Sequence, residues 1–147
     1  MKFLIINGPN LNLLGRREPD IYGYESLQDI EKWLNNRLGQ NDDSIEWFQS
    51  NHEGKIIDEM HRSIDSCEGI IINPGAFTHY SYAIRDAIES VDIPTVEVHL
   101  SNINKREEFR KKSVIKDVCI GQITGLGKSG YLDAVRMLAA YKNKKNN

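Results

Sequence analysis

Side chains suited to proton transfer crowd the segment Asn7–Tyr22, which holds three asparagines, two arginines and a tyrosine. The segment is sixteen residues long and follows the short apolar run Phe3–Ile6. Connections in compact domains are about 4–6 residues long, and loops beyond about 12–15 residues usually bind ligands or cover them. We therefore expect this segment, called the flap below, to close polar groups onto a ligand.

Two further polar segments, Asn73–His79 and Glu97–Asn102, begin where apolar runs end. Glu97 and His99 are two positions apart in a strand-like run, so they share a face and the carboxylate can orient the imidazole. If the strands are parallel, all three segments meet at one edge of the sheet. Together they and the residues just beyond them supply Asn7, Asn10, Asn12, Arg16, Arg17, Tyr22, Asn73, Thr78, His79, Glu97, His99, Ser101, Arg106 and Arg110.

Tyr22 is the candidate base in this set. An unperturbed tyrosine has a pKa near 10, and a neighbouring guanidinium such as that of Arg17 favours the phenolate. Lowering that pKa by ~2–3 units corresponds to ~3–4 kcal/mol, which two close arginines in a closed site can supply. From spacing alone two alternatives stay open: Tyr22 could simply pack beneath the flap, and either histidine, His79 or His99, could be structural.

Other kinds of site fit the sequence less well. The histidines lack the spacing of metal ligands, apart from Glu97 two residues before His99, so no metal is expected. Neither cysteine lies near a strand end, and no serine lies in a Gly-X-Ser-X-Gly elbow. The runs that end in Asn7 and Asn73 lack the carboxylates of a phosphoacceptor receiver.

The segment Gly125–Gly130 reads G-x-G-x-x-G between a strand-like run and a helical pattern. Only 17 residues follow Gly130, so neither a second βαβ half nor an acidic ribose ligand about 20 residues on can follow. A tight turn with close helix–sheet packing is the favoured interpretation. A nucleotide-dependent enzyme is the weaker alternative.

Apolar strand-like runs alternate with helical patterns along the chain. This alternation predicts a parallel sheet covered by helices on both faces. Five strands suit the flavodoxin-like order 2-1-3-4-5, a three-layer α/β/α fold whose ligands bind where the strand order reverses. The predicted strands are Phe3–Ile6, Ile45–Gln49, Gly69–Asn73, Thr95–His99 and Val118–Thr124. The predicted helices are Leu27–Leu38, Ile56–Ile64, Ala83–Ile88, Glu107–Lys112 and Tyr131–Tyr141.

Composition excludes several classes of partner. A net charge of −2 does not indicate the basic surface that nucleic-acid binding needs. No apolar run reaches the roughly 18 residues of a membrane span. The amino terminus lacks a signal-peptide pattern. Cys67 and Cys119, without metal-type spacing, are expected to be buried free thiols in a reducing compartment. A cytoplasmic protein is predicted.

Four long segments, in this order, resemble the type II 3-dehydroquinate dehydratase family. They are Asn7–Gly23, Asn73–Ser81, Glu97–Arg110 and Gly125–Tyr131, and the likeness extends over nearly the whole chain. It implies an enzyme, a hydro-lyase that converts 3-dehydroquinate to 3-dehydroshikimate in aromatic amino acid biosynthesis. Residues 1–147 would then form a single catalytic domain.

The resemblance assigns catalytic roles to five residues. Tyr22 would remove a proton from the carbon beside the ketone, and Arg17 would hold it as phenolate. Asn10 would position a water that stabilises the enolate. His99, supported by Glu97, would protonate the departing hydroxyl. A base, an acid on the opposite face and donors to the enolate are what an anti elimination needs.

Substrate-binding roles follow in the same way. Asn73, His79 and Arg110 would hold the ring hydroxyls. Ser101 and the backbone of Leu100 and Ser101 would take the carboxylate.

The resemblance also implies partners and their absence. No metal, Schiff base or organic cofactor is expected, so the predicted cofactor set is empty. Asp86 would reach the site from a neighbouring subunit in a dodecamer built of trimers. The competing class is a non-enzymatic flavodoxin-like module whose crevice holds a small anion.

Overall fold

A computed structural model describes residues 1–16, 18–39 and 42–147, with only the backbone of Tyr22. The described residues form five strands and five α-helices, with two helices between β1 and β2 and only 3₁₀ turns between β4 and β5. The strands are β1 (Lys2–Asn7), β2 (Ser44–Gln49), β3 (Gly69–Asn73), β4 (Thr95–His99) and β5 (Gly121–Thr124). The helices are α1 (Pro19–Tyr22), α2 (Leu27–Leu38), α3 (Glu53–Arg62), α4 (Tyr82–Val91) and α5 (Ser129–Lys145).

The strands form one parallel sheet in the order β2-β1-β3-β4-β5. The predicted fold class and strand order are therefore confirmed. The order reverses between β1 and β3, whose last residues, Asn7 and Asn73, are in register. Crevices that bind ligands in open α/β sheets lie at such a reversal, outside the carboxyl ends of the strands.

Each face of the sheet is covered by its own apolar core, because side chains alternate along a strand. On one face, Phe3 and Ile5 of β1 and Ile71 of β3 pack with α2 and α5. On the other, Leu4 and Ile6 pack with α3 and α4. The runs of buried isoleucine and valine in the central strands follow from coverage on both sides.

Polar residues mark where two of the helices begin. A capping box begins α2: Asp29 N–H donates to Ser26 Oγ (3.1 Å), and Ser26 N–H donates to Asp29 Oδ2 (3.0 Å). Ser81 caps α4 by accepting from Ile84 N–H (3.0 Å). These caps satisfy backbone donors that would otherwise have no partner at the helix starts.

The flap contains more regular structure than its composition predicted. Leu11–Leu13 forms a 3₁₀ turn. Helix α1 begins at Pro19, because proline is well tolerated at the first position of a helix. Arg17 lies outside the described residues.

Two predicted elements of the carboxyl-terminal third differ from the structure. Val118 belongs to a 3₁₀ turn, Lys116–Val118, and packs against the second core, so β5 begins only at Gly121. The predicted helix Glu107–Lys112 is a 3₁₀ turn over Glu108–Arg110, stabilised by ion pairs at a spacing of three residues.

Helix α5 is longer than predicted at both ends. It continues to Lys145 because lysines in its last turn interact favourably with the carboxyl end of a helix. No helix in the described part of the chain is long and apolar enough to cross a membrane.

Gly8, the first residue after β1, allows two loops of the crevice to approach closely. A Cβ at Gly8 would lie 2.6 Å from the carbonyl carbon of Pro74 and closer still to its oxygen. Gly8 N–H also donates to the Asn73 carbonyl (2.8 Å), which joins the ends of β1 and β3. The crevice edge therefore depends on a residue without a side chain.

We expect Gly8→Ala to lower the free energy of unfolding by about 1–3 kcal/mol, because the added methyl group must push two backbones apart. Urea unfolding followed by circular dichroism measures the change. Gly54→Ala is the matched control, since a Cβ there meets nothing within 4 Å and α3 should gain stability from alanine. Equal stability of the two variants would contradict the steric argument.

Candidate active site

A crevice of about 120 Å³ opens at the carboxyl ends of β1, β3 and β4. Its walls combine apolar side chains with polar groups, as small-molecule sites usually do. Its lining consists of Pro9, Asn10, Leu11, Leu14, Asn73, Gly75, Ala76, His79, His99, Leu100, Ser101, Ile103, Arg106 and Arg110.

The crevice brings together most of the residues singled out from the sequence. Those that line it are Asn10, Asn73, His79, His99, Leu100, Ser101 and Arg110. Glu97 lies behind His99 and is fully buried. Asp86 is exposed on α4 and does not line the crevice of its own chain. The side chain of Tyr22, like Arg17, lies outside the described part of the structure.

The Glu97 carboxylate sits at the centre of a hydrogen-bond network. His99 Nε2 lies 2.6 Å from Oε1, and the Thr78 hydroxyl donates to the same oxygen. The Ser113 hydroxyl lies 2.9 Å from both carboxylate oxygens, and Gln122 Nε2 donates to Oε2 (3.1 Å). A carboxylate has about four lone-pair sites, so these four donors match its capacity.

This network fixes the charge of Glu97. Burial by itself would raise the pKa of Glu97, but hydrogen bonds from His99, Thr78 and Ser113, with the attraction of the imidazole, hold that pKa below its ordinary value. Glu97 is therefore ionised at neutral pH. Its carboxylate accepts a hydrogen bond from His99 Nε2, which carries the proton. Nδ1 is then the imidazole nitrogen that can exchange a proton with a ligand.

His79 has a different electrostatic environment. Burial is the main reason that the pKa of His79 is lowered, and the charges of His99 and Arg110 lower it further. The hydrogen bond with the Lys112 carbonyl acts in the opposite direction and raises it. His79 Nδ1 lies 2.7 Å from that carbonyl and donates to it, because a carbonyl oxygen only accepts. Neutral His79 therefore keeps Nε2 as an acceptor for a ligand hydroxyl.

Two arginines give the crevice positive charge. Arg110 lies with its Cζ 4.7 Å from the centre of the Phe109 ring, and its Nε is 2.7 Å from Glu107 Oε2. Arg106 lies with its Nη2 3.9 Å from Glu18 Oε2 on the flap. Guanidinium groups suit carboxylate and hydroxyl ligands through their planar donors.

Asn10 is held by the end of β2. Its backbone lies in the left-handed region (φ 67°), and its N–H donates to Asn51 Oδ1 (3.0 Å). Gln49 Nε2 in turn donates to Asn51 Oδ1 (3.2 Å) and to the Gly8 carbonyl (3.1 Å). The position of Asn10 is therefore set by a neighbouring strand.

Sequence reasoning missed several supporting residues. Ser113 and Gln122 contact Glu97, while Gln49 and Asn51 support the flap. Gln122 is the register partner of Glu97 across β4 and β5, so knowledge of that register would have found it. Neither its type nor its spacing marked it as part of a site.

The glycine segment is a structural turn, as the favoured interpretation predicted. Gly125 and Gly127 have positive φ angles of 79° and 54°. A Cβ at Gly130 would lie 3.2 Å from Val98 Cγ1 and 3.4 Å from Ile123 Cγ2, so α5 packs closely against the sheet. Among the described residues no cluster of three or more histidine, cysteine, aspartate or glutamate side chains could hold a metal ion.

Comparisons with known proteins agree on one family. The family described as "Dehydroquinase class II" matches residues 1–139. The 3-dehydroquinate dehydratase of Thermotoga petrophila is 56% identical over 138 residues, which cover 94% of each chain. The 3-dehydroquinate dehydratase of Thermotoga neapolitana is 53% identical over 147 residues, which cover 98% of this chain and all of the relative. The crystal structure of a type II dehydroquinase from Butyrivibrio crossotus, 52% identical, superposes with a TM-score of 0.92 and covers 95% of this chain and 97% of the other.

The ionised state of Glu97 predicts a pH-dependent contribution to stability. Because its folded-state pKa lies below the ordinary value of 4.5, this contribution is complete above that pH and is lost as pH falls through the folded-state pKa. Glu97→Gln should lower the free energy of unfolding by about 1–3 kcal/mol at neutral pH, since it places an amide donor among donors. The difference from the unaltered protein should shrink at acidic pH.

Denaturant unfolding at several pH values from neutral to acidic measures this difference. Glu108→Gln serves as the control, because the exposed Glu108–Lys111 ion pair should contribute little. A Glu97→Gln deficit that is the same at every pH would contradict the assignment of charge.

Proposed function

We propose that this chain, which belongs to the class II dehydroquinase family, converts 3-dehydroquinate to 3-dehydroshikimate by anti elimination of water. It is thus a hydro-lyase of the shikimate pathway. The single observation that carries the proposal is the buried Glu97–His99 pair at the crevice between β1, β3 and β4. The reaction needs an acid there, with polar donors around it.

The first step breaks a C–H bond beside the ketone. We assign Tyr22, as phenolate, to take that proton, and Arg17 to stabilise the phenolate. The electron pair moves to the ketone oxygen and forms an enolate. Asn10, which lines the crevice and is held by Asn51, would position a water that donates to this oxygen. These roles rest on the family resemblance and on the position of the flap.

The second step breaks the C–O bond. The enolate electron pair returns to form the C=C bond, and the hydroxyl leaves with a proton from His99 as water. Glu97 supports this role because it accepts a hydrogen bond from His99 Nε2 and stabilises the imidazolium. Nδ1 is then the nitrogen that gives its proton to the substrate hydroxyl. The product is a conjugated enone.

The remaining polar groups of the crevice fit a polyhydroxylated ring acid. Asn73, neutral His79 and Arg110 are assigned to the ring hydroxyls. Ser101, with the backbone N–H groups of Leu100 and Ser101, is assigned to the carboxylate. Each of these residues lines the crevice. The acid, the base and the enolate donors are all side chains or water, so the proposed mechanism uses neither metal nor organic cofactor.

We assign the working unit to a homo-oligomer, a dodecamer built of trimers, with residues 1–147 as one catalytic domain per subunit. Two features support an assembly in which Asp86 serves a neighbouring site. Asp86 is exposed and lies outside the crevice of its own chain. Tyr80, just before the same helix, and Tyr82, in its first turn, leave two large aromatic rings exposed, which suits a subunit contact.

A cytoplasmic location completes the proposal. Cys67 and Cys119 are free thiols, as in proteins of reducing compartments, but they are half-buried and not fully buried as predicted. Burial, with the nearby charge of Glu97, raises the pKa of Cys119 to about 12, so this thiol is unreactive and the mechanism does not use it.

Ultraviolet absorbance after mixing the protein with 3-dehydroquinate tests the activity, because only the product contains a conjugated enone. We expect rapid growth of the enone band, unchanged by a strong chelator or by borohydride. Tyr22→Phe should lose about 10²-fold or more in turnover and still bind substrate, as expected for loss of the base.

Tyr24→Phe is the matched control and should retain full activity, because Tyr24 is exposed. Absence of the enone in a folded, oligomeric sample would mean that the crevice only binds a ligand. Turnover by Tyr22→Phe within a few-fold of the unaltered enzyme would remove Tyr22 from the role of base.

Mixed oligomers test the contribution of Asp86. Asp86→Ala and His99→Gln chains, co-expressed with different tags and purified through both, should recover about a quarter of the unaltered activity although each homo-oligomer is nearly inactive. Half of the sites keep His99, and about half of those adjoin a chain that keeps Asp86. Verified mixed oligomers without recovery would place Asp86 in the site of its own chain or outside any site.

A further inference from the structure

Tyr131 lies beneath the crevice, does not line it and has no contact with solvent. It is on the first turns of α5, is fully buried, and packs with its ring centre 6.0 Å from that of Trp47. Its hydroxyl reaches the ends of two neighbouring strands, where Asn7 and Asn73 are in register. The hydroxyl donates to Asn7 Oδ1 and accepts from Asn73 Nδ2 (3.3 Å).

The single proton of this hydroxyl, together with Gly75 N–H, sets how the Asn73 amide is turned. Because the proton goes to Asn7, the hydroxyl oxygen can only accept from Asn73, which must offer its NH₂ group. The side-chain oxygen of Asn73, Oδ1, then accepts from Gly75 N–H (3.3 Å). One amide hydrogen of Asn73 is committed to Tyr131, and the second is left for a ligand in the crevice.

Asn7 shows that this arrangement has a cost. Asn7 is almost completely buried, and within the described structure its Nδ2 has no hydrogen-bond partner. An unpaired buried donor is unfavourable by about 1–3 kcal/mol. Turning the Asn7 amide would give that nitrogen Tyr131 as acceptor, but the hydroxyl would lose its acceptor on Asn7. The observed orientation keeps both hydrogen bonds: Asn73 Nδ2 donates to the Tyr131 hydroxyl, and that hydroxyl donates to Asn7 Oδ1.

We propose that Tyr131 is a positioning residue that fixes Asn73 as a hydrogen-bond donor to a hydroxyl oxygen of the substrate. This inference rests on the proposed function, in which Asn73 holds a ring hydroxyl. Burial keeps the pKa of Tyr131 well above its ordinary value, so the hydroxyl remains protonated throughout the working pH range. Tyr131 acts through Asn73 and does not touch substrate.

Tyr131→Phe tests the proposal by a split between KM and kcat. Without the hydroxyl, the Asn73 amide can turn and lose one oriented hydrogen bond to substrate, so KM should rise about three- to tenfold. The value of kcat should stay within about twofold, because the acid pair Glu97–His99 lies elsewhere in the crevice. Tyr141→Phe, the same change ten residues along α5, should leave both constants unaltered.

A double-mutant cycle separates positioning from a general structural effect. In an Asn73→Ala background, Tyr131→Phe should cause no further rise in KM, because the residue through which it acts is gone. An equal additional rise in that background would overturn the proposal. So would a loss confined to kcat.

Asn7→Ala provides a second route if Tyr131→Phe does not fold. It removes the acceptor that holds the hydroxyl proton, so Tyr131 can donate to Asn73 and turn its amide; KM should rise in the same way. An unchanged KM in folded Asn7→Ala would contradict the proposal. Absence of enone formation by the unaltered enzyme would instead refute the proposed function, so the two failures are distinguishable.

Discussion

The buried charge of Glu97 is the constraint on which the site depends. A carboxylate without solvent contact is tolerated only when its oxygens are paired, and here four side chains from four parts of the chain supply donors. Thr78 follows β3, His99 ends β4, Ser113 lies in the long connection after β4, and Gln122 lies on β5. The network therefore joins the crevice loops to the sheet and orients the imidazole at the same time.

A second polar network, of neutral groups, lies on the opposite face of the sheet. Tyr131 connects the ends of β1 and β3 at the point where the strand order reverses. The two networks flank the crevice from different sides, one anionic beneath His99 and one neutral beneath Asn73. This division keeps the buried negative charge of Glu97 apart from the neutral hydroxyl and amide groups at the ends of β1 and β3.

Most of the fold and much of the candidate site could be predicted from the sequence. The alternation of apolar runs and helical patterns predicted the sheet, and its order placed the three polar segments at one edge; both are confirmed. The long motifs predicted the family, which the comparisons also show. Boundaries were less predictable: Val118 and Cys119 look like strand residues by type, but they pack against the second core outside the ladder.

Residue types alone set which titratable groups are available, because Glu97, His99 and the flap arginines bring a carboxylate, an imidazole and guanidinium groups however the chain folds. Tertiary structure alone decided the supporting contacts. Ser113, Gln122 and Tyr131 are ordinary residues until strand register and helix packing bring them within hydrogen-bond distance of Glu97 and Asn73. The physical reason is that a hydrogen bond requires a donor–acceptor distance near 3 Å. Spacing along the chain sets that distance only within a helix or along one strand.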